Sequence, residues 1–353
     1  MWKMKRRTAT AIILLTSTFL LLVAQRATTD VHVAVPITAL AVDVAQHEKE
    51  TLPPPNVLFV GDIMLGRNVE LLMERHGAGY PFVGTEHLLK SADLTVGNFE
   101  GIVSPIHEKA EPFTFRFSIK EEFLGTLQGT GFDVLSLANN HSYDYGPSAF
   151  AYTKELCPRY ALVCSGSPST LDQDSVQTQV INGRSVSILF IHTLYKEPDR
   201  EVLRTLIASS TAQSEIQIAY IHWGEEYALI HNDEQRLLSE FLIDHGIDAV
   251  VGHHPHVVQD VGLYNGKPIF YSLGNFIFDQ YFSKDVQEMV ALNMNIGTST
   301  IRYSLIPLTS ATVRSQPAPM GETGKDTLFK RIFADFDALN HQTVSVGEFT
   351  VPF

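Results

Sequence analysis

The chain has 353 residues, of which 44% are hydrophobic and 18% are charged, so it carries enough apolar side chains for a folded core and is not a disordered protein. Its formal net charge is −13, and because the first 26 residues are basic, the rest of the chain is more acidic still. A body of that charge would repel a phosphate backbone, which excludes nucleic acid as an expected partner.

The N-terminus predicts export from the cytoplasm. Basic residues between positions 3 and 7 precede an apolar run over residues 9–24, which is the pattern of a secretion signal. The run is shorter than the roughly 20 apolar residues of a membrane span. We therefore expect residues 1–26 to be a signal peptide or an uncleaved membrane anchor and residues 27–55, which end in three prolines, to be a linker. The remainder is then expected outside the cytoplasm, in the periplasm or at the cell surface.

Apolar strands and amphipathic helices alternate from residue 56 onward, which favours a layered α/β domain. The first strand, residues 56–61, is continuously apolar and is expected to be buried on both faces. Residues 289–296 and 301–307 predict a β-hairpin, and a last helix is expected around residues 326–339. We expect one domain over residues 56–310, followed by a C-terminal extension over residues 311–353 with that one helix. Further strands are predicted over residues 94–97, 134–138, 161–165, 185–192, 216–221, 249–252 and 267–273, and further helices over residues 69–76, 120–129, 147–157, 199–209 and 234–245.

Only two cysteines occur, Cys157 and Cys164. Outside the cytoplasm they could close a local loop as a disulfide. Two free core thiols flanking a turn fit the sequence equally well. Neither interpretation bears on catalysis, because the two residues do not have the spacing of a metal site.

Polar side chains follow five of the apolar strands at the point where each strand ends. In open α/β sheets, ligands bind beyond the carboxyl ends of the strands. Donors of oxygen and nitrogen that collect at that edge therefore predict a single site. They are Asp62 after residues 57–61, Asn98 and Glu100 after 94–97, Asn139, Asn140 and His141 after 134–138, His222 and Glu225 after 218–221, and His253, His254 and His256 after 249–252.

Taken singly, each of these residues has an ordinary structural explanation, such as a turn, a helix cap or a buried histidine. The segment His254-Pro255-His256 is more specific, because Pro255 prevents a helix and an extended chain projects alternate residues to the same side. The pattern predicts that His254 and His256 share the site and that His253 points elsewhere.

The donor types indicate one or two divalent transition-metal ions, namely manganese, iron or zinc, rather than calcium or a cysteine-bound structural zinc. A carboxylate that bridges two such ions about 3.5–4 Å apart would help to activate water and to clamp a phosphoryl or acyl oxygen. His141 is then placed to protonate a leaving group as a general acid. Arg67, just past the first strand, could bind a carboxylate or phosphate with both nitrogens, and a surface arginine at a helix start fits equally.

At these residues the sequence resembles the CapA family, bacterial capsule-synthesis proteins linked to poly-γ-glutamate. The resemblance covers roughly residues 56–308 and keeps the motifs in family order. The motifs stand here as Gly61-Asp62-Ile63-Met64-Leu65-Gly66-Arg67, Gly97-Asn98-Phe99-Glu100, Ala138-Asn139-Asn140-His141 with Asp144 and Gly146, His222-Trp223-Gly224-Glu225-Glu226-Tyr227, Gly252-His253-His254-Pro255-His256-Val257-Val258-Gln259, and Tyr271-Ser272-Leu273-Gly274-Asn275-Phe276.

This family is in turn similar to calcineurin-like metallophosphoesterases, which implies a four-layer α/β/β/α sandwich with a two-metal site. Two positions depart from that pattern: Met64 stands where a second-position histidine ligand is expected, and Glu100 stands in place of the bridging aspartate. One metal position is then expected to be weaker, and a mononuclear or a loosely dinuclear site both fit. The metal ligands that the resemblance implies are Asp62, Glu100, Asn140, His222, His254 and His256, with His141 as the residue that contacts substrate.

Three functions are compatible with this pattern. The first, which we favour, is an extracytoplasmic metal-dependent hydrolase of metallophosphoesterase type, which cleaves or transfers at an amide or phosphoester bond of an envelope polymer. The second is a non-catalytic, metal-stabilised module that binds or assembles the polymer. The third is a secreted phosphatase for small molecules. The resemblance implies an anionic polymer such as poly-γ-glutamate as the partner, membrane synthase subunits as further partners, and contact with the membrane if the N-terminal segment is not cleaved.

Overall fold

The computed structural model describes residues 52–109, 115–334, 336 and 347–353. The predicted signal or anchor and most of the predicted linker lie outside these residues. Within the described ranges, no helix combines the length and the apolar character that crossing a membrane requires.

Strands and helices alternate along the described chain largely as the sequence predicts. The helices are α1 (Arg67–His76), α2 (Glu86–Lys90), α3 (Glu122–Thr130), α4 (Gly146–Leu156), α5 (Arg200–Thr211), α6 (Asp233–Asp244) and α7 (Glu322–Ile332). The strands are β1 (Asn56–Ile63), β2 (Leu94–Phe99), β3 (Ile102–Val103), β4 (Ser118–Ile119), β5 (Val134–Ser136), β6 (Val163–Ser165), β7 (Val176–Ile181), β8 (Arg184–His192), β9 (Ile216–His222), β10 (Ala249–His253), β11 (Val261–Tyr264), β12 (Lys267–Phe270), β13 (Asn275–Ile277), β14 (Glu288–Ile296), β15 (Thr300–Thr309), β16 (Ala318–Pro319) and β17 (Glu348–Pro352).

Most of these strands form two sheets, each with a parallel centre. In the first sheet the order is β16-β15-β14-β1-β2-β5-β6, with β13 beside β1 and β17 beside β15. Within this sheet, β1, β2, β5 and β6 run parallel to one another. In the second sheet the order is β11-β12-β10-β9-β8-β7, and the four central strands run parallel. The predicted hairpin is confirmed as the antiparallel pair β14 and β15.

The two sheets and the helices form four layers, and a hydrophobic core lies between each pair of adjacent layers. Along β1, Val57 and Phe59 pack between the two sheets, whereas Leu58 and Val60 pack on the opposite side with helices α1 to α4. The outer face of the second sheet packs against α5 and α6. This alternation explains why β1 is apolar at every position, since both of its faces are buried. The four-layer α/β/β/α arrangement expected from the sequence is therefore confirmed.

The chain after residue 310 takes part in the first sheet. Besides α7, it contributes β16 and β17, which both pair with β15 and which the sequence did not predict. Helix α7 begins four residues before the predicted helix and packs Phe329 and Ile332 into the core between the sheets. The two strands are short, and their pairing partner lies elsewhere in the chain, so local periodicity carries little sign of them.

Cys157 at the end of α4 and Cys164 in β6 form a disulfide, with their Cα atoms 5.9 Å apart. Of the two alternatives that the sequence left open, the structure has the local disulfide. The link ties α4 to an edge strand of the first sheet, because among the described residues β6 pairs only with β5.

Candidate metal centre

Strand register brings polar side chains of both sheets to one place. In the first sheet Asp62 lies opposite Asn98, and in the second sheet His222 lies opposite His253. Residues that are directly opposite each other in a ladder project to the same side of a sheet. The side chains of all four residues are buried.

Asp62 lies at the centre of this cluster. Its Oδ1 accepts a hydrogen bond from Asn98 Nδ2 at 2.8 Å, and its Oδ2 accepts the backbone N–H of His254 at 3.3 Å and lies 3.1 Å from His256 Nδ1. Burial raises the pKa of this carboxyl, but the hydrogen bond and charge of His256, together with the charge of His253, outweigh burial and lower the pKa to about 2. Asp62 is therefore an anion in the folded protein at neutral pH.

Two groups of potential ligand atoms share Asp62. One consists of Asp62, His222 and His253, and the other of Asp62, Glu100 and His256. In each group the three atoms lie within 4.8 Å of one another, and all of the residues are buried. A shared carboxylate between two groups of donors is the arrangement of a two-metal site.

Glu100 is a buried carboxylate, and its Oε1 lies 3.6 Å from His256 Nε2 and 3.8 Å from His141 Nε2. Its Oε2 accepts a hydrogen bond from Asn98 Nδ2 at 3.3 Å, whereas its Oε1 has no hydrogen-bond partner among the described residues. Burial and the negative charge of Asp62 raise the pKa of Glu100 well above its ordinary value. A cation between the two carboxylates would give Glu100 Oε1 a partner and would offset the repulsion between Glu100 and Asp62.

Three buried histidines of the cluster, His222, His253 and His254, are neutral, which is the form that binds metals. Burial, reinforced by neighbouring histidines, lowers the pKa of His222 well below its usual range. Burial likewise lowers the pKa of His253 and of His254 to about 3. Together with two carboxylates, these imidazoles fit a divalent transition-metal ion, since the set has nitrogen and oxygen donors and no thiolate.

The prediction that His253 points away from the site is wrong. It assumed an extended chain through His254-Pro255-His256, but His254 and His256 have φ angles of +102° and +60°. Such angles are uncommon for residues other than glycine, and they turn the chain within this segment. His253 instead ends β10 opposite His222, and the Nδ1 atoms of the two rings are 2.8 Å apart.

Two other predicted ligands lie beside the donor groups rather than in them. The ring centre of His254 is 4.6 Å from that of His222 and 5.7 Å from that of His256. Asn140 Oδ1 is 2.8 Å from His222 Nε2. Asp62, Glu100, His222 and His256 are the predicted ligands that the structure places within the groups, and the ligand roles of the whole set remain a prediction.

The predicted acid His141 lies at the edge of this cluster. Its Nδ1 is 2.9 Å from Asp144 Oδ2, its Nε2 is 3.8 Å from Glu100 Oε1, and its ring stacks on Phe117 with the centres 4.0 Å apart. Asp144 also accepts the backbone N–H of Phe117 at 2.7 Å. The imidazole is therefore held on two sides, with Nε2 turned towards the cluster.

Arg67 and Met64 follow Asp62 closely in the sequence but differ in their surroundings. Arg67 is buried, pairs with Asp279, and has its guanidinium 4.6 Å from the centre of the Phe117 ring, so it is not a surface arginine. Met64 belongs to the core between the first sheet and helices α1 to α4, and its sulfur accepts a hydrogen bond from the backbone N–H of Gly66 at 3.1 Å. In the group that contains His222, the further imidazole comes from His253 and not from position 64.

The sequence analysis counted Asn98 among the donors of the site but not among the metal ligands, and it gave no role to Asp144, which stood only in a motif. Asn98 contacts Asp62, Glu100 and His222, and its own Oδ1 accepts a hydrogen bond from Asn139 at 3.0 Å. The signal for Asn98 was its spacing, because it lies two residues before Glu100 and so on the same side of an extended chain. No comparable signal marks Asp144, whose contact with His141 depends on the turn between β5 and α4.

Comparison with known proteins gives a consistent assignment. The family model described as "Bacterial capsule synthesis protein PGA_cap" matches residues 56–280. The chain is 29% identical over 293 residues to "PGA biosynthesis protein CapA" of Bacillus subtilis (strain 168), covering 78% of this chain and 77% of that protein. It is 32% identical over 295 residues to "Capsule biosynthesis protein CapA" of Bacillus anthracis, covering 77% of this chain and 70% of that protein.

Among solved structures, the chain is similar to a hypothetical protein from Thermus thermophilus. The TM-score is 0.46 at 17% sequence identity, and the superposition covers 74% of this chain and 96% of the other.

Proposed function

The chain belongs to the bacterial capsule synthesis protein family PGA_cap, and we propose that it is an extracytoplasmic, metal-dependent enzyme of poly-γ-glutamate capsule biosynthesis or export. Its reaction would be hydrolysis or transfer at an amide or phosphoester bond of the envelope polymer. The observation that carries this proposal is the pair of buried donor groups that share Asp62. The basic and apolar N-terminus and the disulfide between Cys157 and Cys164 support a location outside the reducing cytoplasm.

The donor groups account for the metal part of the proposal. Asp62, Glu100, His222, His253 and His256 would hold one or two divalent ions. When bound, such an ion supplies a Lewis acid that polarises a carbonyl or phosphoryl oxygen. The residues themselves exclude bulk water from this place, because each of them is at most 3% exposed.

His141 would supply the proton for the leaving group. Asp144 accepts a hydrogen bond from Nδ1–H of His141, which fixes the orientation of the ring. The proton on Nε2 then faces the cluster, where it can pass to the nitrogen or oxygen of the bond that breaks. The stacked Phe117 limits rotation of the ring, so that the proton is delivered at a defined position.

A second candidate function is a metal-stabilised module that holds the polymer, or its membrane synthase partners, without catalysis. Met64 favours it, because a core methionine occupies the position at which the similar phosphoesterases carry a histidine ligand. In such a module His141 has no proton to deliver, and its removal leaves polymer binding intact.

The two functions are separated by metal content and turnover of the full chain. The protein is purified without chelator, its metals are quantified by mass spectrometry, and cleavage of γ-linked glutamate polymer is followed by size-exclusion chromatography. The enzyme proposal expects His141→Ala to keep the metal and lose turnover, while His87→Ala, a variant of an exposed histidine on α2, changes neither. A wild-type protein that binds metal and polymer without cleaving or transferring it would support the module. A folded protein without bound metal would refute the metal-dependent proposal.

A further inference from the structure

A third histidine continues the row formed by His222 and His253. His192 ends β8 directly opposite His222, just as His253 ends β10 on the other side. The ring centres of His192 and His222 are 5.7 Å apart. His192 belongs to neither donor group of the metal centre. It is nonetheless part of the same polar edge of the second sheet.

One nitrogen of His192 is buried without a hydrogen-bond partner. Its Nδ1 lies 2.7 Å from the backbone oxygen of Pro168, which can only accept, so Nδ1 carries the proton. In the neutral ring, Nε2 then has a lone pair, and among the described residues no donor reaches it. The residue is only 9% exposed. A buried acceptor that is left unpaired destabilises the fold, and a ligand that supplies a donor would offset that cost.

His192 lines a pocket of about 380 Å³ next to the metal centre. The pocket opens between the segment after β6, with Ser167 and Thr170, and the segment after β8, with Tyr195 and Lys196. The hydroxyl of Tyr195 donates to the backbone oxygen of Asn140 at 2.5 Å, which ties the pocket rim to the segment that carries His141. A chain bound in this pocket would therefore lie beside the proposed acid.

The pocket combines an apolar wall with one uncompensated positive charge. The apolar wall is formed by Leu171, Pro198 and Val202. Lys196 makes no salt bridge within the described part of the chain, whereas Glu197 pairs with Arg200 at 2.9 Å. The remaining acidic residue, Asp199, accepts the backbone N–H groups of Glu201 and Val202 at the start of α5. Lys196 is thus the residue that could meet an anionic group of a ligand.

We propose that this pocket is a subsite for one unit of a γ-linked glutamate chain, whose amide N–H donates to His192 Nε2 and whose carboxylate pairs with Lys196. This inference rests on the proposed function. In a γ-linked chain two methylene groups lie in the backbone, and they would pack against Leu171 and Val202. The carboxylate itself does not fit at Nε2, because two acceptors would face each other without a proton.

The test measures binding of a fluorescent γ-linked glutamate pentamer to the full chain by anisotropy, with an α-linked pentamer as the comparison ligand. Loss of the buried acceptor in His192→Phe is expected to weaken binding of the γ-linked pentamer about tenfold and to remove the preference over the α-linked one. His192→Gln, which keeps an acceptor oxygen, is expected to retain most of the affinity. Lys196→Met is expected to weaken binding several-fold and to make it less dependent on salt.

Matched controls and metal content separate the outcomes. His87→Phe and Lys330→Met replace exposed residues of α2 and α7 and should bind like the wild type. Unchanged binding in His192→Phe would overturn the subsite while the proposed function stands. Loss of bound metal in His192→Phe would also overturn it, because the residue would then serve the metal centre. If the wild-type protein bound neither pentamer, both the subsite and the γ-glutamyl substrate of the proposed function would be rejected.

Discussion

Replacing Asp62 by asparagine removes the one carboxylate that both donor groups share. The change keeps the volume of the side chain and takes away its charge. Loss of even an outer partner of a metal ligand costs about 10–100-fold in affinity, so loss of a shared ligand is expected to cost at least about 100-fold at each position. Full-length Asp62→Asn should therefore lose all bound transition metal on dialysis, whereas Asp326→Asn, a variant of an exposed carboxylate on α7, should keep it.

The same substitution also affects the metal-free protein. Asp62 accepts a backbone N–H and an amide N–H and lies against a ring nitrogen of His256, and an asparagine must turn its NH₂ group towards at least one of these donors. A hydrogen bond to a charged group contributes about 1.5–3 kcal/mol. Because the substitution also removes the repulsion between Asp62 and Glu100, part of this loss is offset, and we expect the free energy of unfolding to fall by about 2–4 kcal/mol. Urea unfolding in the presence of chelator measures this value. Retention of metal at the wild-type level would refute the shared site, and loss of only one of two ions would show that Asp62 serves a single position.

Three further changes test other parts of the structure. Asp144→Asn is expected to lower turnover about 10²-fold or more with metal content unchanged, because His141 loses the acceptor on Nδ1; wild-type kinetics would contradict the role of this pair. Gly61→Ala is expected to reduce soluble yield and metal content, because the new Cβ would lie 1.8 Å from the backbone oxygen of Gly274, whereas Gly129→Ala on α3 meets open space and is the matched control. Reduction of the disulfide between Cys157 and Cys164 is expected to lower the free energy of unfolding by about 2–3 kcal/mol, and identical urea curves with and without reductant would argue against the bond.

Much of the fold could be predicted because its signals are local. The apolar run of β1 and the helical periodicity of α5 and α6 each depend on residues close together in the chain. The types of metal-binding donor and their position after the strands could also be predicted from the sequence, because the carboxyl ends of parallel strands lie at one edge of a sheet. Strands β16 and β17 were missed because their stability depends on pairing with β15 and not on their own pattern.

The sequence by itself determined that carboxylates, amides and imidazoles would collect at one edge of an α/β domain, and it identified the family through its motifs. Only the tertiary structure decided how those donors divide into two groups that both include Asp62. The register of β10 against β9 places His253 beside His222, and the positive φ angles of His254 and His256 turn the next residues back onto Asp62. Register and such backbone angles are set by contacts between distant segments, as between the two sheets here. For that reason the inclusion of Asp62 in both donor groups and the pocket at His192 depend on the pairing of the strands and could not be predicted from local sequence.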